Sequence, residues 1–402
     1  MDIAIYTLTS ELHDEKAVGA VTQEFLNSLQ ITYTLKGNDY ADYGSQDLSL
    51  IYVRTGGTEG IFRRLLFQLR AHSQAPFYLL TSGKSNSLAA SMEILSFLQQ
   101  NGMRGEIIHG SADFISRRIQ ILAKVGEARR KLRGSRLGII GQPSDWLISS
   151  RVEPTIVKKH LGIELVEIPM DELLQTIEKT PETVSRENTT NETILKALPM
   201  ANRIYGALRT IVDQNNLQGF TLRCFDLLTA VHNTGCIALA HLNSEGIVAG
   251  CEGDMPAMLS MKIVQSLLGV SGFQANPASI NPETGEMLFA HCTIPFNMVE
   301  RYELDSHFES GIGVGIRGYM KEGPITIFKV SGDLSRSFIA EGELVRNQTK
   351  PDLCRTQQVI QLADKHLTNY FLTYPIGNHH IILPGHHREL LENLVSYSVS
   401  DE

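Results

Sequence analysis

Short apolar runs alternate with amphipathic segments through the first two thirds of the chain. In the first part, the apolar runs predict the strands Ile3–Leu8, Leu48–Val53, Pro76–Leu80 and Gly105–Ile108. The segments between them have helical periodicity and predict the helices Ala17–Leu29, Gly60–His72 and Ser87–Asn101. Strands that alternate with helices indicate a parallel sheet. We therefore predict an N-terminal α/β domain over residues 1–134.

The same alternation continues after Arg136. The predicted strands are Leu137–Ile140, Glu164–Ile168, Gly219–Cys224, Ile247–Cys251 and a fifth run that leads to Asn276-Pro277. The predicted helices are Glu153–His160, Met170–Glu178, Glu192–Asn215, Ile237–Leu242 and one that begins near Pro256 and ends at Gly269. Five parallel strands are the number found in a flavodoxin-like sheet. We predict a second α/β domain over residues 135–282, so that two doubly wound, flavodoxin- or Rossmann-like domains follow each other.

The pattern changes after Pro282, where glycine separates short strands. These predicted strands are Glu286–Pro295, Ser310–Met320, Gly323–Ser331, Ser337–Leu344 and Tyr374–Leu383. Helical periodicity returns at Thr356–Asn369 and at the terminal segment Arg388–Val395. Short strands joined by glycine turns are typical of an antiparallel sheet or barrel. We predict a β-rich, barrel-like C-terminal domain over residues 283–402.

Composition and motifs exclude several classes of function. The chain has 402 residues and a net charge of −8, which argues against a nucleic-acid-binding surface, and the basic segment Ala123–Arg136 is better explained as a solvated linking helix. No apolar run reaches the roughly 18 residues of a membrane span, and the N-terminus lacks the basic region of a secretory signal. The five cysteines show no CxxC spacing, which favours free thiols in a reducing compartment and hence a cytoplasmic protein.

Two phosphate-binding motifs are also excluded. Gly83-Lys84-Ser85 has the end of a P-loop, but Tyr78 stands where the P-loop needs its first glycine. No GxGxxG follows a first strand, so a dinucleotide site is not supported. The polar loops after the second and third strands are predicted to be ordinary strand-end loops, with a role in closing a ligand site as the alternative.

Candidate chemistry lies around Ile247–Ser279. Glu252 and Asp254 come where a buried strand should end, and Asn276 follows the next strand. Ligands of open α/β sheets bind outside the carboxyl ends of the strands. Histidines concentrate late in the chain, and of the neighbours His379 and His380 only one can face a given site if the segment is a strand. Carboxylate and imidazole ligands together suit a divalent metal.

Several motifs, in this order and spacing, resemble the L-fucose/L-arabinose isomerase superfamily, most closely its shorter, L-fucose isomerase-like members. They are Arg223-Cys224-Phe225, Asn233-Thr234-Gly235-Cys236, Cys251-Glu252-Gly253-Asp254, His291-Cys292, Ser306-His307-Phe308-Glu309-Ser310-Gly311 and Gly377-Asn378-His379-His380. The resemblance covers the last two thirds of the chain well and the first third only by architecture. It implies two α/β domains, a C-terminal β-barrel, a small-molecule sugar as ligand and a homo-oligomer such as a trimer or hexamer.

The resemblance also implies a reaction and its residues. Family members carry a proton between C1 and C2 of a sugar, here a pentose or a 6-deoxyhexose, with a divalent metal that is usually Mn²⁺. Glu252 and His379 match the metal ligands, and Asn276 stands where the family has an aspartate. The expected catalytic residues are Glu252 and Asp254, and the expected sugar contacts are His291, His307, Glu309 and Trp146.

The departure at Asn276 leaves two alternatives open. Asparagine can bind a metal through its carbonyl oxygen, but it carries no charge and cannot exchange a proton. Asp254, Glu309 or a histidine could take that part of the reaction. Otherwise the chain is a sugar-binding relative without isomerase activity, or an enzyme of the same scaffold with another metal-assisted reaction.

Overall fold

A computed structural model describes residues 1–73, 75–182, 187 and 189–396 of the chain. The chain divides into two compact units, Met1–Arg130 and Lys131–Glu402. The strands of the first unit are β1 (Ile3–Leu8), β2 (Thr34–Gly37), β3 (Leu48–Val53), β4 (Phe77–Leu80) and β5 (Gly105–Ile108). Its helices are α1 (Glu15–Ser28), α2 (Glu59–His72), α3 (Ser87–Gln100) and α4 (Ala112–Leu132), the last of which ends just beyond the division.

The first unit is built on a parallel sheet with the order β2-β1-β3-β4-β5. All six residues of β1 and all four of β4 are buried, as expected for parallel strands covered on both faces. The edge strand β2 is half-exposed, with the sequence TLKG, and for that reason it gives no apolar signal in the sequence. The predicted parallel sheet of this part is therefore confirmed, with one additional edge strand.

The second unit begins with another parallel sheet. Its strands are β6 (Arg136–Ile140), β7 (Glu164–Ile168), β8 (Gly219–Leu222) and β9 (Val248–Cys251), in the order β7-β6-β8-β9. The helices around it are α5 (Pro154–Leu161), α6 (Met170–Lys179), α7 (Glu192–Gln214), α8 (Asp226–Ala230), α9 (Cys236–Ser244) and α10 (Met255–Leu268). Strand β8 and helices α6, α7 and α9 contribute to one buried apolar cluster.

The prediction of a fifth parallel strand in this sheet is wrong. Among the described residues the sheet has four strands, and β10 (Phe273–Asn281) pairs antiparallel with strands of the following barrel instead. The side chain of Gln274 accepts a hydrogen bond from the Cys251 backbone N–H at 2.9 Å and donates one to its carbonyl at 3.2 Å. A side chain thus satisfies the backbone groups at the end of β9, where a fifth strand would have done so.

The rest of the chain forms a closed antiparallel barrel with the order β10-β11-β16-β15-β14-β17. Its further strands are β11 (Glu286–His291), β14 (Gly323–Val330), β15 (Ser337–Gln348), β16 (Thr356–Leu362) and β17 (His380–Pro384). A hairpin of β12 (Arg301–Asp305) and β13 (Gly315–Tyr319) precedes β14, and two helices, α11 (Thr368–Thr373) and α12 (Arg388–Ser396), complete the described chain. Closure leaves the barrel without a free edge.

Two segments of the barrel differ from their predicted structure. Thr356–Leu362 was expected to be helical but is strand β16, which lies between β11 and β15 and pairs with both. Pairing on both edges decides its conformation, since apolar residues such as Val359, Ile360 and Leu362 also suit a helix. The strand expected from Tyr374 begins only at His380, after α11 and a polar loop.

The predicted fold class is confirmed: two parallel α/β sheets are followed by a closed antiparallel barrel. The three-domain division at residues 134 and 282 stays a prediction. No helix within the described residues is both long and apolar enough to span a membrane.

Candidate functional site

The carboxyl ends of β8 and β9 face a cavity of about 490 Å³ that residues of the barrel strands also line. Six of the residues singled out in the sequence lie in its wall: Trp146, Glu252, Asn276, His291, His307 and Glu309. They come from elements far apart in the sequence. The cavity therefore lies between the second α/β sheet and the barrel.

The backbone at Glu252 is unusual for its residue type. Glu252 follows β9 with φ of 64°, and Gly253 continues with φ of 74°. A residue other than glycine in the left-handed region is disfavoured, and such residues often occur at functional sites. The conformation is held on both sides, because the Glu252 carbonyl accepts a hydrogen bond from the Ser144 N–H at 2.9 Å and the Gly253 N–H donates one to Leu222 at 2.9 Å.

The Glu252 side chain meets two histidines from the barrel. Its Oε1 atom lies 3.5 Å from His291 Nε2 and 3.5 Å from His379 Nε2, and the three potential ligand atoms lie within 4.8 Å of one another. All three residues are buried. Atoms bound to one ion at about 2.1 Å are at most about 4.2 Å apart. The two measured separations therefore suit one shared cation.

The other ring nitrogen of His379 is fixed by Asp254. His379 Nδ1 donates to Asp254 Oδ2 at 2.9 Å, while Asp254 Oδ1 accepts the N–H of Ala257 and so caps α10. The Lys329 ammonium lies 3.3 Å from Asp254 Oδ1, and both side chains are completely or almost completely buried. A carboxylate on Nδ1 selects the tautomer with a free lone pair on Nε2, which is the arrangement of a metal-binding histidine.

Asp254 was expected to be a catalytic residue, but it does not line the cavity. Its carboxylate is fully buried and contacts His379, the Ala257 N–H and the Lys329 ammonium. The acid/base role of Asp254 stays a prediction, whereas the contacts in the structure are those of a residue that orients His379.

Asn276 lies on β10 with its side chain in the cavity wall. Its Oδ1 atom is buried and has no hydrogen-bond partner in the described part of the chain. A buried acceptor without a partner costs free energy, of the order of 1–3 kcal/mol, unless something else binds it. Asn276 therefore offers a neutral oxygen in the cavity that Glu252 and His291 also line.

The remaining predicted residues surround this group. The Trp146 indole N–H donates to Glu252 Oε2 at 2.8 Å, and its ring meets Phe225 edge to face with centroids 4.7 Å apart. Phe225 in turn meets the ring of His307 at 5.5 Å. The second member of the histidine pair, His380, points away and forms a hydrogen bond between its Nε2 and the Tyr370 hydroxyl at 2.9 Å. The alternation expected for the pair is thus confirmed.

Burial and charge shift the proton affinities of these groups. Burial lowers the pKa of His379, but the carboxylates of Glu252 and Asp254 outweigh it and raise the pKa to about 9. Burial likewise raises the pKa of Glu252, yet the neighbouring His379 and His291 outweigh this effect and lower it well below the ordinary value. Without a metal the pair is therefore a carboxylate and an imidazolium, and a metal would have to displace that proton.

For two further groups that line the cavity, the pKa values are shifted in the opposite directions. Desolvation lowers the pKa of His307 to about 4, so its ring is neutral at pH 7. Desolvation, together with the charge of Glu252, raises the pKa of Glu309. A neutral imidazole and a carboxyl with raised pKa are both suited to exchanging protons with a sugar hydroxyl.

His291 is the residue whose part the sequence did not show. It was expected to contact sugar hydroxyls, but its Nε2 atom belongs to the group of potential metal ligands. Its Nδ1 is in hydrogen-bond contact with the Thr293 hydroxyl at 3.1 Å, which fixes the ring. The pattern His-Cys-Thr at the end of a predicted strand contains these residues, but it does not show which cavity wall the strand forms.

The residues present fit a divalent cation. One carboxylate and two imidazoles, with Asp254 orienting one of the imidazoles, are a common ligand set for divalent transition metals.

Comparison with known proteins finds similarity to isomerases. No family model matches the sequence. Proteins named sulfoquinovose isomerase are similar to it: 21% identity over 265 residues for the one from Alkalicoccus urumqiensis, 21% over 266 for that of Priestia megaterium, and 25% over 221 for that of a Clostridium species. The matches cover 61%, 61% and 52% of this chain and 59%, 59% and 48% of those relatives. The chain thus spans about three fifths or less of the length of the relatives it matches, and over that part it is similar to sugar isomerases.

Proposed function

We propose that this protein is a metal-dependent, aldose–ketose isomerase-like enzyme of the L-fucose/L-arabinose isomerase superfamily. The observation that carries the proposal is the buried Glu252-His291-His379 group at the carboxyl end of a parallel sheet, with Asp254 behind His379. The similarity to sulfoquinovose isomerases supports the same reaction type.

Glu252, His291 and His379 would hold the cation, with Asn276 as a neutral fourth ligand. When bound, the divalent metal, for which we propose Mn²⁺, polarises the carbonyl and hydroxyl oxygens of the sugar. Asp254 keeps His379 in the tautomer that binds through Nε2. Trp146 holds Glu252 Oε2 by its indole N–H, so the carboxylate cannot rotate freely.

Proton transfer between C1 and C2 requires a group that can give and take a proton on each side of the two carbons. Glu252 is one candidate. For the other we favour Glu309 over Asp254, because Glu309 lines the cavity and its pKa is raised by desolvation and by the charge of Glu252. His307, neutral and in the same wall, is placed to bind a hydroxyl.

The cavity favours an uncharged sugar, which we propose to be a pentose or a 6-deoxyhexose. Of the described residues in its wall, two are glutamates and none is lysine or arginine. The neighbouring Arg355 already contacts Asp305 Oδ2 at 3.4 Å and the Ser306 carbonyl at 2.8 Å. A sulfonate such as that of sulfoquinovose would lack a cationic partner here, and like charges repel.

Asn276 supports a second candidate function. A site with one carboxylate ligand has one negative charge less than the family's glutamate–aspartate pair, so it would bind a metal more weakly and lack one proton-transfer group. The rival function is a sugar-binding protein without isomerase activity, or a different metal-assisted reaction on a hydroxy or carbonyl compound.

The test measures bound metal and sugar interconversion in the same preparations. The full chain, His379→Gln and the surface control His366→Gln are loaded with Mn²⁺, and bound metal is measured by elemental analysis. Isomerisation is followed over pentoses, 6-deoxyhexoses and sulfoquinovose. We expect metal and activity on an uncharged sugar in the parent and in His366→Gln, and neither in His379→Gln. Metal binding without activity on any sugar would favour the rival function, and absence of metal binding in the parent would refute the metal centre.

A further inference from the structure

All five cysteines of the chain lie in or at the wall of the candidate sugar cavity. They come from different elements: Cys224 after β8, Cys236 at the start of α9, Cys251 at the end of β9, Cys292 after β11 and Cys354 before β16. None is disulfide-bonded. No cysteine is among the proposed metal ligands or the proposed proton-transfer residues. The proposed function therefore assigns no role to these five thiols.

The thiols of Cys224 and Cys251 are in direct contact. The sulfur atoms of Cys224 and Cys251 are 3.0 Å apart, and both residues are buried from bulk solvent but reach the cavity. Cys251 ends β9, and its register partner in the adjacent strand β8 is Leu222, two residues before Cys224. A disulfide needs about 2.05 Å between the sulfurs, so a movement of about 1 Å would join them.

We propose that Cys224 and Cys251 are an oxidation site, a dithiol that hydrogen peroxide entering through the cavity converts to a disulfide. One sulfur attacks the peroxide, which leaves a sulfenic acid and hydroxide, and the second sulfur displaces the hydroxyl group to close the S–S bond. In total, two thiols and one peroxide give one disulfide and two molecules of water. This inference rests on the contact of the two sulfurs and is independent of the proposed function.

Two neighbouring thiols form a second pair at the same cavity. The Cys292 sulfur accepts a hydrogen bond from the Cys354 side chain and one from the Arg355 N–H at 3.4 Å, and both contacts favour its thiolate. Cys354 is the one partly exposed thiol of the five and serves as a matched control, since it lines the same cavity and would meet the same oxidant.

The bond would form next to the candidate metal group. Cys251 directly precedes Glu252, and its backbone is held on both sides by the Gln274 amide. Because that backbone is fixed, closing the sulfurs must be accommodated mainly by the side chains and by the loop that carries Cys224.

The test is peroxide treatment of the full chain, followed by alkylation and peptide mapping by mass spectrometry. We expect alkylatable thiols to fall from five to three per chain, a cross-linked peptide pair containing Cys224 and Cys251 that is two hydrogen atoms lighter, and full recovery with dithiothreitol. Cys354→Ser should still form this cross-link, and Cys224→Ser and Cys251→Ala should each abolish it.

Two results would overturn the proposal. One is a chain that keeps all five thiols alkylatable under conditions that oxidise a free model thiol completely. The other is a disulfide that maps to Cys292 and Cys354 while Cys224 and Cys251 stay alkylatable. Because the parent chain is itself mapped, the conclusion holds even if a cysteine variant does not fold. A lack of metal binding or of isomerase activity would bear on the proposed function alone.

Discussion

At the scale of single residues, the neutral side chain of Asn276 leaves the candidate metal site with one carboxylate, that of Glu252. Its buried Oδ1 atom has no hydrogen-bond partner among the described residues and lies in the same cavity wall as Glu252 and His291. The change Asn276→Asp replaces a neutral oxygen donor by an anionic one of the same size. We expect tighter Mn²⁺ binding in titration calorimetry and, where proton transfer limits turnover, a gain in isomerisation of about 10²–10⁴-fold.

The matched control for this position is Asn276→Leu, which keeps the size and removes the oxygen. It should bind Mn²⁺ more weakly than the parent. Equal affinity of all three proteins would mean that Asn276 does not reach the cation, and a parent that is already as active as Asn276→Asp would mean that another group serves as the second acid.

Substitution of Asp254 tests whether a residue outside the cavity affects the metal affinity of the site. Replacing it by asparagine removes the carboxylate behind His379, and loss of such an outer partner typically costs 10–100-fold in metal affinity. It also leaves the ammonium of Lys329 buried without its counter-charge, which costs about 3–5 kcal/mol of unfolding free energy.

The two effects can be separated with the double variant Asp254→Asn/Lys329→Met. It should recover much of the unfolding free energy in urea denaturation, because no buried charge remains unpaired, and it should keep the low Mn²⁺ affinity. If the double variant recovers both stability and Mn²⁺ affinity, Asp254 contributes to metal binding only by stabilising the fold and does not orient His379.

At the scale of elements, the turn between β9 and α10 fixes the direction of Glu252. A Cβ atom on Gly253 would lie 2.7 Å from the Gln142 carbonyl oxygen and 2.7 Å from Pro143 Cα, so Gly253→Ala meets both an unfavourable φ and a collision with backbone. Gly269, at the other end of the same helix, has φ of 81° and no atom within 4 Å of the added carbon.

We expect Gly269→Ala to lower the unfolding free energy by about 1–2 kcal/mol, the cost of a left-handed residue. Gly253→Ala should lose about 1–3 kcal/mol more through overpacking, and it should also lower Mn²⁺ affinity, because the loop around Gln142 must move away from Glu252. Urea denaturation and calorimetry measure the two quantities. If both variants lose the same unfolding free energy, the loop at Gln142 and Pro143 moves aside without a measurable energetic cost.

At the scale of the whole molecule, His307 couples stability to pH. Desolvation lowers its pKa to about 4, below the value of about 6.5 in an unfolded chain. Between these two values the unfolded state binds more protons at this residue, so the contribution of His307 to stability is present above pH 6.5 and is lost as the pH falls toward 4.

The variant His307→Gln removes this titration. Its urea midpoint, measured in chelator, should fall less between pH 7 and pH 4.5 than that of the parent. His366→Gln changes an exposed histidine and should follow the parent. Parallel pH profiles for His307→Gln and the parent would contradict a low pKa at His307.

The sequence determined the class of the fold and most of the residues at the site. Uninterrupted apolar runs such as Ile3–Leu8 and Val248–Cys251 identify parallel strands, because burial on both faces leaves no polar alternation. Strand-end position singled out Glu252 from a local pattern, whereas the choice of His379 over His380 came from the resemblance to the L-fucose/L-arabinose isomerase superfamily. The predicted oligomer and sugar concern partners of the chain and stay predictions.

Tertiary structure alone decided the partners of these elements. The apolar run at Phe273 suits a fifth parallel strand equally well, and only its pairing with β11 and β17 places it in the barrel. For the same reason the sequence could not show that Thr356–Leu362 is a strand or that His291 turns toward Glu252. Local patterns record which side chains are apolar and how they are spaced, whereas strand pairing and the meeting of side chains more than a hundred positions apart, as in Asp254 and His379, depend on how the whole chain closes.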